Sequence, residues 1–103
     1  MEGLIENRMV KYYRYDIPAE QEVEVDLLRG FVTVSISTSM ACASFLFTND
    51  GHVYQFYTSY NGAINFNEDT GIVTIKQAGK TKKIILKNNK TSAITVYLKV
   101  LNI

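Results

Sequence analysis

The segment MACASFLFTNDGHVYQFYTSY, residues 40–60, decides the fold. Its two halves flank Asn49-Asp50-Gly51, and Asn-Asp-Gly chemistry tolerates the positive φ angles of a tight hairpin. Before the turn, Ala43, Phe45 and Phe47 alternate with Cys42, Ser44 and Leu46. After it, His52, Tyr54, Phe56, Thr58 and Tyr60 alternate with Val53, Gln55, Tyr57 and Ser59. A period of two is the mark of a β-strand, because successive side chains leave opposite faces of the pleat. The segment is therefore read as a hairpin of two strands, Met40–Thr48 and His52–Tyr60. Both faces of the second strand carry a large ring.

The same rhythm extends in both directions. Val23, Val25 and Leu27 alternate with Glu22, Glu24 and Asp26, and Val32, Val34 and Ile36 alternate with Thr33, Ser35 and Ser37, with Arg29-Gly30 as punctuation between them. Downstream, Asn61-Gly62 reads as a second hairpin into Ala63–Phe66, and Asn67–Gly71 as a third into Ile72–Gln77. Ala78-Gly79-Lys80 turns into Lys82–Lys87. Asn88–Ser92 then precedes a long strand, Ala93–Leu101, in which Ile94, Val96, Leu98 and Val100 alternate with Thr95, Tyr97 and Lys99. Tyr12, Tyr13 and Tyr15 belong to a first strand ending at Asp16-Ile17-Pro18, preceded by a short turn within residues 1–11.

Turns every eight to twelve residues around about eight strands predict an all-β, antiparallel β-sandwich, jelly-roll-like or a meander. No strand–helix alternation suggests a parallel α/β sheet. At 103 residues the whole chain, 1–103, is expected to be a single domain. A chain this size buries roughly two-thirds of its unfolded surface, enough for one core. Hydrophobic residues at 47% and charged residues at 20% are those of a globular protein. Met1–Glu6 lacks the basic and apolar regions of a secretory signal, and no apolar run reaches the ~20 residues that span a bilayer. A soluble product made in the cytosol, without membrane insertion and open to association with a virion, is expected.

Charge is unevenly placed. Between Gly30 and Phe66 the sole ionised side chain is Asp50, whereas Phe31, Phe45, Phe47, Tyr54, Phe56, Tyr57, Tyr60 and Phe66 all fall there. Strands that face water normally carry charges that discourage pairing with other chains. An acidic segment (Asp16, Glu20, Glu22, Glu24, Asp26) and a basic one (Lys76, Lys80, Lys82, Lys83, Lys87, Lys90) flank this neutral middle. They are read as two solvated strand faces, or as edges that meet within one chain or between subunits. A pI near 7.8, with lysines that follow the aromatics rather than interleave with them, argues against nucleic acid.

Chemistry finds little support. His52 follows a turn and is expected to be solvated. Ser44 or Ser59 with His52 and Asp50 lacks the sheltered pocket of a catalytic triad. One Cys and one His do not make a zinc site, and Asn67, Glu68 and Asp69 lack the spacing of a calcium loop. The glycines are scattered singly among turns, so no phosphate-cradling loop is seen. No catalytic residue, cofactor or metal is therefore expected. Cys42, among the small residues Ala41, Ala43 and Ser44, is expected to be buried and inert.

The expected function is a non-enzymatic structural or assembly module, either a homo-oligomer or a component docked on a larger protein assembly. Phe45, Phe47, Tyr54, Phe56, Tyr57 and Tyr60 are the candidate interface or ligand residues. The alternative is a carbohydrate-binding module built on Tyr54 and Tyr60, or on Tyr57, with Gln55 and Asn61 supplying amides. No family motif is present. The rhythm of short strands and Asn/Gly turns is common in small sandwiches of bacteriophage virions and bacterial surface assemblies.

Overall fold

A computed structural model describes residues 10–37, 40–59 and 62–102. The turn expected within residues 1–11 falls almost wholly outside that range, as do Tyr60 and Asn61. Nine strands follow in order: β1 Val10–Ile17, β2 Glu22–Asp26, β3 Gly30–Ile36, β4 Cys42–Phe47, β5 Val53–Thr58, β6 Ile64–Phe66, β7 Val73–Gln77, β8 Lys83–Asn88 and β9 Ile94–Asn102. They form a five-stranded sheet, β1-β9-β3-β4-β5, packed on a four-stranded sheet, β2-β8-β7-β6. The fold is the all-β sandwich that the alternation predicts. First strand pairs with last and second with next-to-last, as in a jelly roll, while β3-β4-β5 is a plain meander.

The core lies between the sheets. Val32, Val34 and Ile36 of β3, Ala43, Phe45 and Phe47 of β4, and Ile94, Val96, Leu98 and Val100 of β9 point inward and are buried. Val25, Ile64, Val73, Ile75, Ile84 and Leu86 meet them from the other sheet. Phe66 lies edge-on to Phe45, ring centres 5.8 Å apart. Each large side chain so buried contributes about 1.5–3 kcal/mol.

Two of the expected hairpins are something else. β5 and β6 lie in different sheets, so the segment ending at Gly62 (φ +59) carries the chain across the sandwich. Burial of Ile64 and the Phe66–Phe45 contact draw it there. The Asn67–Gly71 segment joins β6 to β7 in parallel, not as a hairpin. Parallel neighbours usually need a long connection. Here the pair is only Ile64–Phe66, and the return is tight because the Ala63 carbonyl accepts both Ile72 N–H (2.7 Å) and Val73 N–H (3.0 Å). Asn67 takes a positive φ of 66°, and its amide reaches the Ile75 carbonyl at 2.9 Å. The hairpins at Asn49–Gly51 and Ala78–Lys80 form as expected, joining β4 to β5 and β7 to β8.

Gly30 opens β3 between β4 and β9 with φ +146. A Cβ at this position would lie 2.1 Å from the Leu101 carbonyl oxygen, so the close approach of β9 requires glycine.

Two polar side chains, Thr74 and Asn88, sit wholly inside this frame. Asn88, 0% exposed, holds its Nδ2 3.0 Å from the Ile17 carbonyl, 3.1 Å from that of Pro18 and 2.9 Å from that of Ser92. Its Oδ1 accepts Lys90 N–H at 2.8 Å, and its own N–H donates to the Gln21 carbonyl at 2.9 Å. Truncation would strand several buried carbonyls. Asn88→Ala is therefore expected to lower unfolding free energy by about 2–4 kcal/mol in urea titrations, with the five-stranded sheet's β signal retained until the earlier midpoint.

Candidate functional site

The two outer surfaces of the sandwich differ sharply in chemistry. On the four-stranded sheet the acidic and basic segments meet within one chain. Lys76 reaches Asp69 (2.9 Å) and Glu22 (3.7 Å), Lys80 reaches Glu24 (3.1 Å), Lys83 reaches Asp26 (2.6 Å) and Lys87 reaches Asp69 (3.4 Å). The antiparallel register that sets Glu22 opposite Lys87 and Asp26 opposite Lys83 makes this lattice. Asp69 is held below the usual carboxylate range by the hydrogen bond from Lys76 first and by Lys87 after it. Asp69 is thus shared by two lysines. Exposed pairs of this kind add little to stability and serve mainly to match the two strands' charges. The surface is charged, mixed in sign and well hydrated.

The outer face of the five-stranded sheet carries rings instead. Cross-strand register lines up Val10, Leu101, Phe31, Leu46 and Tyr54 in one row spanning all five strands. The next row is Tyr12, Lys99, Thr33, Ser44 and Tyr57, and the one after it Arg14, Tyr97, Ser35 and Cys42. Of the large apolar side chains exposed among the described residues, all but Met40 stand on this face: Tyr12, Tyr54, Phe56, Tyr57, Tyr97 and Leu101. Lys99 lies over the Tyr12 ring, 5.8 Å from its centre. Arg14 and Asp16 form an exposed pair at 3.4 Å, and Thr95 Oγ1 donates to Asp16 at 2.6 Å. That hydroxyl bond, with Arg14 behind it, holds the Asp16 carboxyl low.

A bulge in β5 concentrates the rings. Tyr57 opposes Ser44 but Gln55 opposes Phe45, so Phe56 is an extra residue in the pairing. The shift of register returns Tyr54 to the same face as Tyr57. Phe56 packs its ring 5.5 Å from Phe31 on that face, yet remains 59% exposed. The sequence assigned Tyr54 and Phe56 to one face of the strand and Tyr57 to the other, and the bulge overturns that division.

Of the candidate residues, Tyr54, Phe56 and Tyr57 are brought together and exposed. Phe45 and Phe47 point inward, fully buried, and belong to the core. Tyr60 lies outside the described residues. Tyr12, Phe31, Leu46, Tyr97 and Leu101 extend the face and were missed. Their alternation with the inward residues of β1, β3, β4 and β9 is the signal that finds them.

Cys42 corrects another expectation. Its thiol is exposed, not buried, because it shares the parity of Ser44 and Leu46 and faces out beside Ser35. The buried small residues are its neighbours Ala41 and Ala43.

A shallow hollow of about 560 Å³ opens on this face, lined by Tyr12, Arg14, Thr33, Ser35, Cys42 and Tyr97 among others. His52 Nδ1 lies 3.2 Å from Asp50 at the β4–β5 turn, while Ser59, at the far end of β5, accepts Cys42 N–H at 2.9 Å. His52 and Ser59 thus flank β5 at opposite ends. No helix among the described residues is long and apolar enough to cross a membrane. Comparison of the chain with protein-family models, with curated proteins and with solved structures returns no match.

Two outcomes follow. Ellman's reagent is expected to label Cys42 stoichiometrically in the native chain, without denaturant. Asp50 is depressed to about 2 from an ordinary 3.8, by the Thr48 hydroxyl first and His52 second. A depressed carboxylate stabilises the fold above its unfolded value and loses that contribution as pH falls from 3.8 through about 2. Asp50→Asn should therefore melt below the parent near neutrality, with the two melting curves converging at the acid end.

Proposed function

We propose that this protein is a non-enzymatic assembly module that docks through the outer face of its five-stranded sheet. What supports the reading is the division of surfaces: one outer face wears an ion-pair lattice, the other a row of apolar side chains with exposed rings around it. Leaving such rings in water forgoes the burial that aromatic residues supply at interfaces. Interface centres are enriched in tyrosine and poor in Lys and Glu, which is the composition here. The docking partner is a second copy of the chain or the body of a larger particle, of which a bacteriophage virion or a bacterial surface assembly is the natural example.

A second reading has one observation behind it. The hollow between Tyr12 and Tyr97 combines ring edges with the hydroxyls of Thr33 and Ser35 and the guanidinium of Arg14. That mixture suits a sugar ring, which presents apolar C–H and polar O–H groups together. A glycan array decides this reading, and a blank array removes it.

Sedimentation across a wide concentration range tests the first. Tyr57→Asp puts a charge into the exposed ring cluster without touching the core. It is expected to weaken self-association by roughly 30-fold or more, the equivalent of the ~2 kcal/mol of a central aromatic. The β circular dichroism signal and melting temperature should stay near those of the parent. Self-association that is indifferent to Tyr57→Asp would sink the proposal for this face.

A further inference from the structure

We infer that β5 is an open edge that pairs antiparallel with β5 of a second copy, fusing two five-stranded sheets into one. The inference rests on the assembly reading above and names its partner and its geometry. The sandwich has four sheet edges, β1 and β5 in one sheet and β2 and β6 in the other. β1 carries Lys11, Arg14 and Asp16 and is followed by Pro18, β2 carries Glu22, Glu24 and Asp26, and β6 is only Ile64–Phe66. Charge, proline and brevity are the usual devices that keep edges from pairing. β5, Val53-Tyr54-Gln55-Phe56-Tyr57-Thr58, has no charged residue and no proline, and the bulge at Phe56 is the one such device within the strand. Two copies of β2 would oppose carboxylate to carboxylate. Two copies of β5 bring no like charges together.

The direction of the backbone groups fixes the register. Ser59 N–H donates to the Cys42 carbonyl at 2.8 Å, and Thr48 N–H to the His52 carbonyl at 3.1 Å. Counting by two from each end turns the amides of Tyr57 and Tyr54 toward β4. Those of Thr58, Gln55 and Val53 then face away. Val53 N–H is indeed taken from that side, by Gln77 Oε1 at 2.8 Å, which closes the β5 edge at its start. Gln55 and Thr58 remain.

A two-fold axis between Phe56 and Tyr57 sets Gln55 opposite Thr58 of the partner subunit, and Thr58 opposite the partner's Gln55. Each such pair exchanges two N–H···O bonds. The same register places Phe56 beside the partner's Tyr57 and Tyr57 beside the partner's Phe56, covering rings that stand 59% and 56% exposed in one chain. The self-complementarity of this strand, uncharged with matching groups on either side of the axis, is what selects a second copy as the occupant.

Light scattering on the eluting protein is the first measurement. The parent should run at twice the 11.7 kDa chain mass. Thr58→Pro removes an outward N–H while leaving the aromatic face untouched, and should return the mass to that of one chain with the β circular dichroism intact. A second measurement stands if that variant does not fold. In a Cys42→Ser background, Gln55→Cys with Thr58→Cys should give a reducible covalent dimer on oxidation, because hydrogen-bonded antiparallel partners sit about 5.5 Å apart at Cα, within disulfide reach. A monomeric parent overturns the inference. A dimer that Tyr57→Asp dissociates, but that keeps its mass in Thr58→Pro and yields no covalent dimer, also overturns it, while leaving the docking face in place. Indifference to Tyr57→Asp and Thr58→Pro alike, with no covalent dimer, would sink the face and the edge together.

Discussion

Asn88 is the residue on which the arrangement of strands turns. The chain crosses between sheets after β1 and again after β8, and these two crossings lie side by side because β1 pairs with β9 and β2 with β8. Backbone that crosses a sandwich leaves its ladder and must find other partners for its carbonyls, or lose about 1–3 kcal/mol for each one buried alone. A single amide side chain answers for Ile17, Pro18 and Ser92 at once, and its carbonyl takes Lys90 N–H. An aliphatic residue of similar size would fill the same space and satisfy none of them. With the two corners tied together, the long strand β9 is held between β1 and β3, and the rows of side chains on both faces of the sheet come into line.

That alignment produces the contrast between the outer faces. On the four-stranded sheet, β2 supplies carboxylates, and β7, β8 and the turn between them supply ammonium groups, so the charges neutralise one another pair by pair. On the five-stranded sheet the same in-register geometry stacks apolar residue beside apolar residue from Val10 to Tyr54. The bulge at Phe56 adds a further ring to the end of that row. One principle, cross-strand pairing at fixed spacing, makes one surface hydrated and the other oily.

Most of this was legible where alternation is clean. β2, β3, β4 and β9 can be read directly, since an apolar residue recurs at every second position on their inward side. β5 resists, because rings occupy both parities and the bulge slips the register midway, which no period-two count detects. Cys42 was misplaced by attending to its small neighbours instead of to its parity with Ser44 and Leu46. Turn chemistry locates where the chain bends and is silent about what it bends toward. Asn49-Asp50-Gly51 closes a hairpin, whereas the segments at Gly62 and at Asn67–Gly71 lead across the sandwich and into a parallel pair. The exposed residues of β1 and β9 join the candidate face only through long-range pairing, and that is the information a linear reading lacks.

The placement of β9 also orders events during synthesis. Made after both of its neighbours and inserted between them, it is the piece without which the five-stranded sheet is two fragments. The β3-β4-β5 meander emerges from the ribosome early, with Phe45 and Phe47 uncovered on one side and Tyr54, Phe56 and Tyr57 on the other. It must wait for residues 94–102 before its inner face has its full complement of partners. Sheets closed by contacts between distant parts of a chain form slowly, and exposed strand edges in the interval are sticky. For this protein the vulnerable period of folding is thus the time the aromatic hairpin spends before β9 joins it.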